Sequence, residues 1–169
     1  MKRKIAAGSI AVVALVALSL VVASAAAKAD FSGKWAMDKT KSEGIPPNVE
    51  QVMTVTQTGD KIELETKITA PQGERTIKDS YTVDGKETEF TPQGPQGPMG
   101  KGKRTAKWSA DGAALEVSET ATLDGPNGPD EISATRKWTL AADGKTMTIE
   151  LTFNGEQGTQ KTKRVFVKQ

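Results

Sequence analysis

From residue 30 onwards, apolar and polar side chains alternate with a period of two, and no stretch shows the period of a helix. The clearest example is residues 146–153, where Met147, Ile149 and Leu151 alternate with threonine and glutamate. A strand with this alternation buries one face and exposes the other. The sequence therefore predicts an all-β protein made of half-buried strands.

The predicted strands are separated by dipeptides that form tight hairpin turns. After an opening strand at 31–35, the strands are predicted at 49–58, 61–70, 75–83, 86–91, 103–109, 114–123, 131–140, 146–153 and 159–168. The turn dipeptides are Gly59-Asp60, Asp84-Gly85, Asp111-Gly112, Asp143-Gly144 and Asn154-Gly155. Consecutive strands are therefore expected to be antiparallel neighbours, and closing the sheet would remove its unpaired edges. We predict a single antiparallel up-and-down (meander) β-barrel of about 8–10 strands.

The first 29 residues have the composition of a Sec-type signal peptide. A basic start, Lys2-Arg3-Lys4, precedes an uncharged apolar run at 5–22 and a small-residue stretch at 23–29. We predict cleavage after Ala25, Ala27 or Ala29, with residues 1–29 as the leader and 30–169 as one barrel domain. The expected location is the periplasm or the exterior of the cell. An uncleaved anchor is the alternative, because the apolar run is close to the length that spans a bilayer.

The charge balance argues against a nucleic-acid partner. The leader holds four of the 23 basic residues and no acidic one, which leaves 19 basic against 21 acidic residues and a net charge of −2. Such a domain lacks the basic surface that attracts nucleic acid. Once the leader is removed, no membrane attachment is expected either.

Enzyme chemistry has little support in this composition. The chain has no histidine and no cysteine, which excludes catalytic triads, thiolate nucleophiles and imidazole metal sites. Asp124, Asn127, Asp130 and Glu131 are interpreted as a turn rather than a calcium site. We therefore predict no enzymatic activity, no cofactor and no metal.

The arginines beyond the leader share a position in the strand pattern. Arg75, Arg104, Arg136 and Arg164 each alternate in phase with apolar or aromatic residues, whereas lysines fall on the opposite phase. We predict that these guanidinium groups face the interior, where each needs a counter-charge. Asp79 is interpreted as the one mid-strand acid on an apolar phase. Arginines in excess of it would bind a carboxylate, phosphate or sulfate; alternatively, the arginines are fully paired and the interior is filled.

Two segments interrupt the strand pattern. Residues 39–48 are predicted to be a loop, and residues 92–102 repeat glycine and proline in a collagen-like order too short for a triple helix. The second segment is interpreted as a loop between strands, or alternatively as a mobile flap over the barrel mouth.

Both ends of the barrel domain resemble known sequence signatures. The opening Phe31-Ser32-Gly33-Lys34-Trp35 resembles the Gly-x-Trp signature of the calycin superfamily, and the whole domain is similar to small exported bacterial lipocalin-like proteins. The closing Lys163-Arg164-Val165-Phe166 is similar to the last strand of fatty-acid-binding proteins, with Phe166 in place of their tyrosine. Residues 39–48 are too few for the two-helix lid of those proteins. The resemblance implies a lipocalin-like barrel in which Gly33 and Trp35 are structural and an arginine, Arg136 or Arg164, covers the Trp35 indole.

Together these patterns predict a binding protein for a small hydrophobic or amphipathic anionic molecule. The candidate ligand-binding residues are Arg104, Arg136, Arg164, Asp79, Tyr81, Trp108, Trp138 and Phe166. The alternative is a protein-interaction or protease-inhibitor barrel whose interior is filled and whose loops contact a partner.

Overall fold

The computed structural model of this chain describes residues 28–94, 97–125 and 128–169. Of the predicted leader, only Lys28 and Ala29 fall within these ranges. All regular structure in the described residues is β, which confirms the predicted all-β class. Within the same ranges no helix is long and apolar enough to cross a membrane.

The described residues form twelve strands. They are β1 Gly33–Met37, β2 Glu50–Thr58, β3 Lys61–Ala70, β4 Gly73–Thr82, β5 Glu87–Phe90, β6 Gln93–Gly94, β7 Gly97–Pro98, β8 Lys101–Trp108, β9 Ala114–Gly125, β10 Gly128–Leu140, β11 Thr146–Gly155 and β12 Gly158–Lys168.

Ten of these strands form one curled antiparallel sheet in the order β4-β3-β2-β1-β12-β11-β10-β9-β8-β5. Strand β1 pairs with both β2 and β12, which joins the two ends of the barrel domain. The remaining strands, β6 and β7, form a small separate hairpin inside the Gly/Pro segment. That hairpin was not predicted from the sequence.

The prediction that every pair of consecutive strands is hydrogen-bonded is wrong at β4 and β5. The connection between them bonds elsewhere: Val83 N–H donates to the Asp60 carbonyl at 2.7 Å, and Gly85 N–H donates to the Ala106 carbonyl at 2.9 Å. As a result, β5 pairs only with β8. The Arg104 side chain crosses the gap between β4 and β5 instead. Its Nη1 lies 2.5 Å from Asp79 Oδ1 on β4 and 3.2 Å from the Ser80 carbonyl.

The alternation of side chains separates the two faces of the sheet as predicted. The inner face carries the buried core, which includes Trp35, Met53, Val55, Ile62, Leu64, Tyr81, Leu115, Val117, Trp138, Met147, Ile149 and Phe166. The outer face carries threonine, lysine and glutamate, and its ion pairs, such as Lys67 with Glu74, are solvent-exposed. Exposed pairs of this kind contribute at most about 1 kcal/mol each, so the free energy of folding comes mainly from the inner face.

The segment that follows β1 continues to hydrogen-bond with the backbone of β12. Asp38 N–H donates to the Val165 carbonyl at 2.7 Å, Ser42 Oγ accepts from Val165 N–H at 3.0 Å, and Glu43 forms an isolated β-bridge with Lys163. Val165, next to the inward-facing Phe166, lies on the outward phase of the strand and is 5% exposed.

One end of the barrel is closed by aromatic side chains, and we call it the closed end. Phe31 and Trp35 are fully buried there, and the Phe31 ring lies 5.9 Å from Trp108 and 5.8 Å from Trp138, measured between ring centroids. The Trp35 indole N–H donates to the Phe31 carbonyl at 2.8 Å. The opposite end, which we call the mouth, contains the Gly/Pro segment and the β3–β4 and β11–β12 turns.

The structure corrects the prediction that Arg136 or Arg164 covers the Trp35 indole. Lys168 does so, with its Nζ 5.2 Å from the ring centroid, because β1 pairs with the final residues of β12. Gly33 adopts a φ of 133°, and a Cβ at that position would meet Lys168 Cε at 2.7 Å. Glycine at 33 thus permits both the backbone conformation at the start of β1 and the close approach of the lysine.

Candidate anion-binding interior

The inner face of the barrel encloses two adjoining cavities, and a separate cleft lies on the outer face of the sheet. This outer cleft, about 930 Å³, lies outside the ends of β5, β8, β9, β10 and β11, and outward-facing residues such as Lys101, Lys103 and Thr122 line it. The middle cavity, about 320 Å³, is bounded by β4, β8, β9, β10 and the start of the Gly/Pro segment. The inner cavity, about 160 Å³, reaches down to Trp138 and Phe166. Ile77, Asp79 and Arg136 line both the middle and the inner cavity, so these two regions adjoin.

A layer of charged side chains crosses the interior between the mouth and the closed end. Arg104 is 6% exposed, and its two terminal nitrogens contact Asp79 at 2.5 Å and Glu119 Oε1 at 3.2 Å. The other Glu119 oxygen accepts a hydrogen bond from Arg136 Nη1. Because Arg104 and Glu119 are directly paired residues of β8 and β9, the strand register itself brings these charges together.

Arg164 has a different environment from the other two interior arginines. It lines the inner cavity with Arg136, but it makes no ion pair with any acidic residue that the structure describes. Its Nε is buried and has no hydrogen-bond partner among those residues. Burial, and then repulsion from Arg136, lower the pKa of Arg164 from its ordinary value. A guanidinium group still stays charged at neutral pH, so this position is electrostatically suited to an anion.

The charges around Arg136 raise its pKa, in contrast to the lowered pKa of Arg164. Burial acts to lower the pKa of Arg136, but its interactions with Tyr81, Glu119 and Asp79 outweigh burial, and the net effect is a raised pKa. Of these groups, Glu119 is the one that also accepts a hydrogen bond from Arg136. Among the described residues, the three interior arginines face two acids, Asp79 and Glu119, which leaves one positive charge in excess near Arg164.

Tyr81 lies beneath this layer and is 4% exposed. Its ring packs edge-on against Trp138, with 6.2 Å between the ring centroids, and Arg104 Cζ lies 5.0 Å from its centroid. Burial raises the pKa of Tyr81 well above its ordinary value of 10.0, and the opposing attraction of Arg136 does not cancel this effect. Tyr81 is therefore a neutral hydroxyl in the wall of the inner cavity.

The raised pKa of Tyr81 predicts a loss of stability in alkali. Below pH about 10 the Tyr81 hydroxyl keeps its proton in both the folded and the unfolded chain. Above that pH the unfolded chain alone releases the proton, so the free energy of unfolding falls by up to about 1.4 kcal/mol per pH unit. Tyr81 is the only tyrosine in the chain, so tyrosinate absorbance reports on it alone. We expect no tyrosinate in the folded protein at pH around 11, where the urea-unfolded protein is mostly ionised. A Tyr81→Phe variant should lack this part of the alkaline destabilisation, and equal titration of the folded and unfolded protein would contradict the prediction.

The structure brings most of the predicted ligand-binding residues together. Six of them line the inner cavity: Asp79, Tyr81, Arg136, Trp138, Arg164 and Phe166. Arg104 lines the middle cavity. Trp108 lines none of the three regions, because it is stacked against Phe31 at the closed end. Arg75, predicted to face the interior, is exposed near the mouth.

Two interior polar residues were missed by the sequence interpretation. Glu119, with its side chain 8% exposed, shows that Asp79 is not the only mid-strand acid on the inner face. Glu119 alternates in phase with Val117 and Ala121, so a signal for it was present. Gln51 is 7% exposed and lines the inner cavity beside Met53, which gives this space a neutral polar group as well.

The inner cavity is both apolar and able to donate hydrogen bonds. The inner cavity combines apolar walls with buried donors, since Trp138 Nε1, like Arg164 Nε, has no hydrogen-bond partner among the described residues. Over those same residues no group of three or more potential metal-ligating side chains occurs, and Asn127 of the predicted Asp/Asn turn lies outside them. A carboxylate, sulfate or phosphate ester with an apolar body matches both properties of this cavity.

Comparison with known proteins adds a relationship at the level of the fold. No family model and no curated protein sequence matches this chain. The solved structure of zebrafish ileal bile acid-binding protein complexed with cholic acid is 20% identical with a TM-score of 0.50, over 82% of this chain and 98% of that chain. This chain shares that fold. The predicted resemblance to calycins is thus confirmed as a resemblance of fold.

Two tardigrade proteins give lower scores. Secretory abundant heat soluble protein 4 from Ramazzottius varieornatus is 17% identical, with a TM-score of 0.47 over 85% of this chain and 97% of that one. A further secretory abundant heat soluble protein from the same organism is 16% identical, with a TM-score of 0.45 over 86% and 98% of the two chains.

Proposed function

We propose that this protein is an exported, non-enzymatic binding protein that holds a small amphipathic anion in its barrel, with the anionic group on Arg164. The observation that carries the proposal is the half-buried Arg164 side chain, whose buried Nε has no hydrogen-bond partner and which has no acidic partner among the described residues while lining a cavity with apolar walls. A ligand carboxylate would supply the missing counter-charge and accept hydrogen bonds from otherwise unbonded donors.

The apolar part of the ligand would occupy the inner and middle cavities. Their walls include Met53, Leu64, Ile149 and Phe166 around the inner cavity, and Phe153 in the middle one. The zebrafish protein of this fold was solved with cholic acid, an amphipathic acid, which supports a ligand of that general chemistry. The cavity volumes of about 160 and 320 Å³ favour this function over a barrel that acts through its loops with a filled interior.

The export part of the proposal rests on residues 1–29, with their basic start, apolar run and alanine-rich end. The protein should therefore be purified from the periplasm or the medium, and its native mass recorded before and after organic extraction. A retained mass that is lost on extraction would support a carrier. A native mass equal to that of the chain alone, combined with no binding of an amphipathic anionic probe, would contradict the proposed function.

Replacing Arg164 with methionine should weaken binding of the fluorescent anion anilinonaphthalenesulfonate by about 10- to 100-fold, because a charge-assisted hydrogen bond to the anion is lost. Lys161→Met is the matched control, since it removes the same charge from the exposed face of the same strand. It should change affinity less than about twofold. Titrations followed by probe fluorescence measure both effects, and equal losses in the two variants would show that Arg164 does not hold the anion.

A further inference from the structure

Phe90 lies at the boundary between the mouth and the interior. It is the last residue of β5, and it lines the middle cavity, whose wall also includes the exposed Lys78 and Gln93. Ala121 and Ile132 line the same cavity from β9 and β10, and Phe90 has a larger side chain than either. Its ring centroid lies 3.9 Å from Arg104 Cζ, so the ring covers the charged layer on the side of the mouth.

The strand beside Phe90 provides a site that fits its ring. A Cβ at Gly102 would lie 2.5 Å from Phe90 Cε1 and 2.8 Å from its Cζ. Gly102 does not have a positive φ, so its backbone conformation is open to any residue. Glycine at 102 is therefore explained by the space that the Phe90 ring occupies, together with the nearby Thr120 carbonyl at 2.9 Å from that Cβ position.

The strand that carries Phe90 is the one with the fewest backbone restraints in the large sheet. Strand β5 has four residues, lies at the end of the sheet order, and pairs only with β8. The strands that carry Ala121 and Ile132 are paired on both sides. Phe90 can therefore change position without breaking the rest of the sheet, because terminal strands open at low free energy.

We propose that Phe90 is an access-controlling residue: its ring closes the passage from the mouth to the middle cavity and must leave its site beside Gly102 for a bulky anion to enter. This inference rests on the proposed function only in naming the anion. Small solutes pass the Phe90 ring, whereas molecules with aromatic or branched bodies enter only after the ring has moved. Phe90 thereby determines which molecules reach Arg164, and how fast.

The first test measures the rate of entry of anilinonaphthalenesulfonate by stopped-flow fluorescence. Phe90→Ala should raise the association and dissociation rate constants together by about tenfold, while affinity changes less than about threefold. Thr88→Ala is the control on the same strand, because Thr88 is exposed and lines neither the middle nor the inner cavity. It should leave the association rate constant within about twofold of wild type. Equal association rates in wild type and Phe90→Ala would overturn the proposal.

A second test separates failure of this inference from failure of the proposed function. The chain has no cysteine, so Ala134→Cys places a single thiol in the wall of the middle cavity. Its reaction with an aromatic disulfide reagent needs access but no anion binding. Adding Phe90→Ala should accelerate labelling about tenfold, and equal labelling rates would overturn the inference. Accelerated labelling in a protein that binds no amphipathic anion would keep the access role and reject the proposed function.

Discussion

Replacing Glu119 with glutamine is expected to lower the free energy of unfolding by about 3 to 5 kcal/mol. The side chain is 8% exposed, and its two oxygens contact Arg104 and Arg136. Without its charge, Arg104 keeps Asp79, but Arg136 has no acidic partner left among the described residues. The Arg136 side chain is only 28% exposed, so losing its partner is destabilising because its partial desolvation is no longer compensated, and Arg104, which is 6% exposed, loses one of its two carboxylates as well. Urea unfolding followed by tryptophan fluorescence measures the loss.

A neighbouring glutamate on the same strand provides the control for this variant. Glu116 lies on the outer face of β9, where its side chain is 40% exposed and 3.7 Å from Lys107. Glu116→Gln should cost less than about 1 kcal/mol, since exposed ion pairs contribute little. If Glu119→Gln cost no more than this, the charged layer would not stabilise the fold as described.

A second substitution shows whether the loss comes from the unpaired arginine. Adding Arg136→Met to Glu119→Gln removes the uncompensated cation, so the double variant should lose less stability than the sum of the two single variants. A coupling energy near zero would mean that Glu119 acts through Arg104 alone. The two arginines share one carboxylate, which is why the measurement needs both single variants.

The strands were predictable because their signals are local. Alternation and turn dipeptides place the third strand at 61–70, as observed, and the following strand within two residues of its observed start at Gly73. The inward direction of Arg104, Arg136 and Arg164 follows from the same alternation. These features need no knowledge of which distant strands meet.

Features that depend on contacts between distant strands were not predictable. Arg104 reaches Asp79 across the unpaired gap, and Lys168 covers Trp35 because the last strand ends beside the first. Both contacts follow from how the sheet curls, which no local pattern specifies. Glu119 was missed for a different reason: it shares its phase with Val117 and Ala121, but a glutamate is seldom buried without a partner, and the sequence does not show that Arg104 and Arg136 supply one.

The different roles of the three interior arginines are also visible only in the structure. From sequence, the three interior arginines were equivalent candidates for holding an anion. Two of them have acidic partners and join β4, β8, β9 and β10, whereas Arg164 has none among the described residues. The same residue type thus stabilises the barrel at two positions and, in our proposal, binds the ligand at the third.

Replacing Phe31 with alanine is expected to cost about 3 to 5 kcal/mol of folding free energy, the range for removing a fully buried phenylalanine. Its ring is fully buried, nearly parallel to Trp108 and edge-on to Trp138. Because Trp35 bonds to the Phe31 carbonyl, that hydrogen bond survives the substitution, and the loss measures the ring itself. Phe153→Ala removes the same ring from a half-buried position near the mouth and should cost clearly less in parallel urea unfolding experiments. Equal losses would mean that the Phe31 ring at the closed end contributes no more to stability than a half-buried ring near the mouth.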